Sequence, residues 1–412
     1  MQARRFAVIG AGPSGLYATD RISRKDPNAA VDVFERLPTP FGLVRYGVAA
    51  DHQGTKAVAR VLERALARPN VRFLGNIEVG RDVEIEALRD CYDAVLIAVG
   101  ATGENRLEIP GKGLGNVIGS GQLVNWLNAS PDNCESPVDL HHVRNVVVVG
   151  LGNVAIDVAR VFLKEPGDFI GSDLSTPVSA ALATAPIEQV TIVGRGNVAA
   201  ARFSEAELKE LVSLPNVRVS TTPCLTSTCT GTTADILRSA SDAGQKPLAF
   251  TFQATPVSFS GLNRVEAVTV REPDGSERDI PADLVITCIG YSCTTLADLP
   301  IDAGRFANED NKIDSGLYVA GWAATGPRGT IATGRAAAFA VADRMLAETT
   351  SNDKAGLQLP DREYVDFEGW RRINEAEIAA AAPGRVREKI ATRDEMLKAT
   401  RLAAVGSRHR SW

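Results

Sequence analysis

The chain has 412 residues, enough for about two domains, and its 44% apolar and 23% charged residues fit an ordinary globular composition. A net charge of −5 with His neutral gives no reason to expect a nucleic-acid partner. No apolar run approaches the ~18 residues of a membrane span, and a strand pattern starting at residue 5 leaves no room for a signal peptide, so a cytoplasmic location is expected.

The first strand pattern, 5–9, runs into Gly10-Ala11-Gly12-Pro13-Ser14-Gly15 and then a helical pattern over 14–24. In such a G-x-G-x-x-G the first glycine makes a tight turn, the second lets backbone approach a pyrophosphate, and the third closes helix onto strand. The pyrophosphate then rests on free N–H groups at the helix N-terminus. A strand at 31–34 follows and ends on Glu35, twenty residues past Gly15. A carboxylate there accepts from the ribose hydroxyls of an unphosphorylated adenosine, so this site reads as FAD. A helical pattern at 54–67 comes next, then a strand at 94–99 that ends in a small-residue turn at Gly100-Ala101.

A second α/β unit starts near 105. Its run Val146-Val147-Val148-Val149 leads into Gly150-Leu151-Gly152-Asn153-Val154-Ala155, a second fingerprint. The stretch 165–186, rich in Pro, Gly, Ser, Thr and Ala, reads as a loop. The strand Val190-Thr191-Ile192-Val193 then ends in Gly194-Arg195. An arginine suits a ribose 2′-phosphate, because its fork matches phosphate oxygens and stays charged; this site reads as NADPH. Residues 220–245 are weakly patterned, and strands return at 249–254 and 264–271. Leu284 through Tyr291 echoes the strand before Gly100. Leu317 through Trp322 follows, and then Gly326-Pro327-Arg328-Gly329-Thr330-Ile331 opens a helical run at 332–348. The tail beyond 350 is polar and Ala-rich, with Trp370 as an anchor.

This order predicts an α/β protein of two nucleotide-binding Rossmann-like domains, the second inserted in the first. The expected boundaries are 1–104 with 290–349 for the FAD domain, 105–289 for the NAD(P)H domain, and 350–412 for a tail packing on them. The six cysteines, Cys91, Cys134, Cys224, Cys229, Cys288 and Cys293, form no C-x-x-C. That argues against a dithiol active site and a four-cysteine metal centre. All six are expected to be buried or incidental thiols, and no metal site is expected.

The chain resembles the adrenodoxin-reductase branch of the NADPH–ferredoxin reductases, among the glutathione-reductase-type flavoproteins. The stretches that carry the resemblance are Pro40 through Ala49 with Asp51-His52, Gly75 through Gly80, Gly152 through Arg160, Gly321-Trp322 with Gly326-Pro327, and Gly384-Arg385 through Leu397. The resemblance implies that Ser14, Glu35, Leu43 and Val79 contact FAD. Trp322 and the backbone of Gly329, Thr330 and Ile331 would meet its flavin end. Leu151 through Val154 would hold the second pyrophosphate, with Arg195 and Glu207 along the adenosine phosphate. His52, Asp157 and Glu210 match polar residues near the flavin–nicotinamide region. The family has two adjacent arginines after this strand; here the second is Gly196, with Arg202 seven residues on as partial compensation. The implied partner is a ferredoxin-type iron–sulfur protein, with a haem monooxygenase downstream, and the implied state is a monomer.

Several residues keep two readings. His52 is a proton shuttle or the cap of the helix near Gly54. Asp157 and Glu210 serve chemistry or structure, Arg160 being a partner for a buried Asp157. Arg45 faces an FAD phosphate or a substrate phosphate. Arg60, Arg64, Arg68 and Arg72 form a docking face or a solvated one. An FAD-dependent oxidoreductase acting directly on a quinone or amine, and a non-catalytic flavoprotein, are the competing function classes.

Overall fold

The computed structural model describes residues 3–329, 331–358 and 362–401. The chain divides into two compact units. Within the described residues, one takes in Met1–Gly103, Ser130–Asp132 and Tyr291–Trp412, and the other Glu104–Ala129 with Asn133–Gly290.

The sheet of the first unit has the order Lys312–Asp314, Leu317–Val319, Ala94–Ile97, Arg5–Ile9, Ala30–Glu35, Val71–Gly75. All neighbours pair in parallel except the Lys312–Asp314 edge. The fingerprint strand Arg5–Ile9 is central and buried along most of its length, as expected when helices cover both faces of a parallel sheet. The helices Pro13–Lys25 and Ile331–Glu348 pack on it, joining Leu16, Ile22, Val341 and Met345 to the core.

The second unit repeats this plan. Its parallel sheet runs Val117–Gly119, Leu284–Thr287, Asn145–Val149, Gln189–Val193, Lys246–Thr251, Val217–Thr222. An antiparallel sheet of Thr255–Ser260, Ala267–Arg271 and Glu277–Pro281 lies beside it in sequence.

The structure differs from the sequence expectations in several places. The stretch read as a loop contains the helix Thr176–Thr184, and the weakly patterned stretch 220–245 contains the helix Thr232–Ser239. The helical pattern at 54–67 is two helices, Gln53–Lys56 and Ala59–Leu66. The first unit also claims Ser130–Asp132 from inside the expected insertion. There Asp132 accepts from Arg36 at 2.5 Å and Arg393 at 2.7 Å.

The tail joins the first unit through the helix Phe367–Ala379. Trp370 is buried edge-on against Phe41, and its indole N–H donates to Glu63 at 3.0 Å. Arg45, read as facing a phosphate, is itself buried. It pairs with buried Glu377 of this helix at 2.5 Å, while Lys56 and Lys389 both donate to the Arg45 carbonyl.

Candidate functional site

In the first unit Gly10 adopts φ +105°, a conformation that favours glycine. A Cβ there would stand 2.5 Å from the Ala98 carbonyl, and one on Gly15 would strike the Gly10 carbonyl. Gly12, by contrast, faces open space and begins the helix Pro13–Lys25 without a side-chain cap. The result is an uncapped 13-residue helix with bare backbone in front of it, which suits an anion. Glu35 is only 8% exposed. Its two carboxylate oxygens accept from the N–H groups of Ala11 (2.9 Å) and Leu37 (3.1 Å). Burial raises its carboxyl above the ordinary value, opposed by those donors and by the Arg36 charge. Each oxygen retains a further lone pair, so Glu35 can hold the fingerprint loop and still accept from a ribose.

Ser14 lies against Gly321, the residue before the short helix Trp322–Thr325. Trp322 is half-buried and donates its indole N–H to the Arg328 carbonyl at 3.0 Å. Gly329 is exposed, and Ile331 starts the helix Ile331–Glu348; Thr330 lies outside the described residues. Leu43 is 42% exposed, while Val79 packs among Ile77, Val83 and Leu296 in the core.

In the second unit Gly150 has φ +143°, and a Cβ there would collide with the Cys288 carbonyl. Gly152 is open, and the helix Asn153–Leu163 also starts without a side-chain cap. Leu151 and Val154 are half-buried and Asn153 is exposed. Arg195 is exposed past the strand Gln189–Val193.

Three acidic site candidates of the second unit converge on one base. Arg160 has a side chain with 0% exposure and pairs with Asp157 at 2.8 Å, Glu207 at 3.2 Å and Glu210 at 3.4 Å. Asp157 and Arg160 belong to the fingerprint helix, and Glu207 and Glu210 to the helix Glu205–Val212. The Asp157–Arg160 pairing matches the structural reading. The gathering of Glu207 and Glu210 was hidden in sequence, because it depends on how two helices pack. His52 belongs to the first unit and is half-buried. It holds the N-cap position of Gln53–Lys56, but its side chain makes no cap hydrogen bond, so the capping reading is corrected.

All six cysteines are free, and Cys134 and Cys224 are exposed rather than buried. Burial raises the thiols of both Cys288 and Cys293, the former with help from the Glu104 carboxylate. Neither is the lowered thiolate that dithiol chemistry requires. Of the four arginines read as a face, Arg68 pairs with Asp20 and Arg72 with Asp32. Arg60 and Arg64 stay exposed and have no ion pair among the described residues.

Residues 4–338 match the pyridine nucleotide-disulphide oxidoreductase family. The mitochondrial NADPH:adrenodoxin oxidoreductase of Drosophila melanogaster is 36% identical, over 96% of this chain and 93% of the relative. The chain belongs to this family. The cindoxin reductase of Citrobacter braakii is 33% identical over 93% of this chain and 88% of its own. The solved structure of Mycobacterium tuberculosis FprA in complex with NADPH superposes with a TM-score of 0.90 at 31% identity, covering 97% of this chain and 99% of that one. Although the family's name carries a disulphide, all six cysteines of this chain are free and none falls in a C-x-x-C.

Proposed function

We propose that this protein is an FAD enzyme that oxidises NADPH and passes the electrons to a ferredoxin-type iron–sulfur protein. The observation that carries the reading is the paired fingerprints, one with a buried acid and one with an exposed base at the following strand end. The first fits FAD: an open, uncapped helix N-terminus stands beside a carboxylate that suits unmodified ribose. The second fits a 2′-phosphorylated nucleotide.

FAD, when bound, takes up a hydride as an electron pair and gives electrons to one-electron acceptors, so no side-chain nucleophile is needed. The protein's own work is binding and orientation. Gly12, Ser14 and Glu35 hold one nucleotide; Gly152, Asn153 and Arg195 hold the other. Arg160 holds Asp157, Glu207 and Glu210 in place.

Arg60 and Arg64 offer positive charge to an acidic partner. Among the described residues no helix is long and apolar enough to cross a membrane. We further infer a cytoplasmic monomer whose partner supplies a haem monooxygenase; gel filtration tests the oligomeric state and reconstitution the downstream acceptor.

The main test is stopped-flow reduction of the bound flavin by NADPH and by NADH, followed by titration with a ferredoxin. NADPH reduces faster, and the ferredoxin takes the electrons in a salt-sensitive step. Rapid oxidation by a quinone or amine with no transfer to any ferredoxin would overturn the reading in favour of a small-molecule oxidoreductase.

A further inference from the structure

The loop after the strand Gln189–Val193 folds back onto the second fingerprint. Gly194 packs so closely on Leu151 that a Cβ would collide with its side chain. Further on, the Arg202 N–H donates to the Leu151 carbonyl at 2.7 Å. The Ser204 N–H donates to Asn153 Oδ1, also at 2.7 Å. Residues 202 and 204 are therefore tied to two fingerprint residues by separate hydrogen bonds.

Between the ties lies a crowded turn. Val198–Ala200 forms a single turn of 3₁₀ helix, with Asn197 Oδ1 accepting from the Ala200 N–H at 3.0 Å. A Cβ on Gly196 would stand 2.9 Å from the Ala200 Cβ. The turn thus fills the space next to Arg195 and brings the chain back at Arg202.

Both arginines are exposed, and neither guanidinium has a hydrogen bond or ion pair among the described residues. The nearby acids do not claim them: Glu207 and Glu210 pair with Arg160, and Glu205 is exposed. Two unpaired arginines on one loop, one tied to the phosphate-binding turn, carry the inference.

We propose that Arg202 is the second cation for the 2′-phosphate of NADPH, acting with Arg195. The proposal rests on the reading that NADPH is the reductant. A phosphate monoester carries a charge of about −1.5 to −2 near pH 7, and one guanidinium fork covers only two of its oxygens. A second fork from the far side of the loop covers the rest and balances the charge.

The test is calorimetric titration of the FAD-loaded protein with 2′,5′-ADP and with 5′-AMP, which differ only by the 2′-phosphate. Wild type binds 2′,5′-ADP the more tightly. Arg202→Ala and Arg195→Ala each weaken 2′,5′-ADP by about tenfold or more and leave 5′-AMP unchanged. Arg202→Lys falls between, since it keeps the charge without the fork. The backbone tie to Leu151 survives all three, and a thermal melt confirms folding. If Arg202→Ala binds 2′,5′-ADP like wild type while Arg195→Ala does not, the inference is wrong and the NADPH reading stands. If Arg202→Ala weakens both fragments equally, Arg202 serves the loop and not the 2′-phosphate, which also overturns the inference. If wild type does not distinguish the fragments, the NADPH reading fails and takes the inference with it.

Discussion

Glu35 ends the strand that follows the first fingerprint helix, and Arg195 stands two residues past the corresponding strand of the second unit. The backbone solutions around them match: a positive-φ glycine against a neighbouring carbonyl, an open second glycine and an uncapped helix. Their surroundings do not. Glu35 is buried and already accepts two backbone N–H groups, so it belongs to the fold as well as to the site. Arg195 is exposed and unpaired among the described residues, so its guanidinium is free to meet a ligand. A retained cofactor and an exchanging one have these opposite needs. The first gains from a site built into the core, and the second from contacts that form and break at the surface.

The largest test of this contrast is Glu35→Lys. It orphans two backbone donors and puts a cation beside Arg36 and the ribose site, so the purified protein should lose its flavin absorbance and melt earlier. Full flavin occupancy would show that Glu35 is only a strand end. Arg195→Ala should leave folding and flavin intact and weaken NADPH by roughly 1.5–3 kcal/mol, about ten- to a hundredfold, with NADH nearly unchanged. Equal damage to both nucleotides would place Arg195 away from the 2′-phosphate.

Gly196→Arg sharpens the same point. Alone it should gain little, since its Cβ meets Ala200; with Ala200→Gly it should raise the preference for NADPH over NADH. A smaller effect is expected on the exposed face of the helix Ala59–Leu66. The pair Arg60→Glu and Arg64→Glu should slow ferredoxin reduction several-fold at low salt and spare ferricyanide reduction. Unchanged ferredoxin kinetics would mean docking elsewhere.

The smallest effect concerns a surface clip between two first-unit helices. Arg21 and Lys25 hold the Asp343 carboxyl down at about 2. Its folded value lies below the unfolded one of about 3.9. The stabilisation is therefore full above that value and is lost as pH falls through about 2. Asp343→Asn should lower the denaturation midpoint slightly at pH 6, and the gap from wild type should narrow towards pH 2.

Both fingerprints, most strands of the two parallel sheets and the order of the two units were legible because each rests on local pattern. Buried strands read as apolar runs, and glycines mark the turns between strand and helix. The helix Thr176–Thr184 carries no clear helical pattern, because Pro177 sits in its first turn and only Val178 is buried. The residues that gather around Arg160, Glu377 and Asp132 escaped for another reason. Asp157 and Arg160 are three apart on one helix, and their pairing was foreseen. Arg36 and Asp132, or Arg45 and Glu377, meet only through tertiary packing, and a single sequence read alone holds no signal of such pairs.

The first unit is written in pieces along the gene, and a ribosome must deliver them in order. The strand Arg5–Ile9 emerges early, but its sheet cannot close until Leu317–Val319 follows. Arg45 waits longer still for Glu377. The second unit is nearly continuous and can fold while synthesis proceeds, as domains generally do. The nascent first unit therefore carries Arg45 without its ion-pair partner for most of translation.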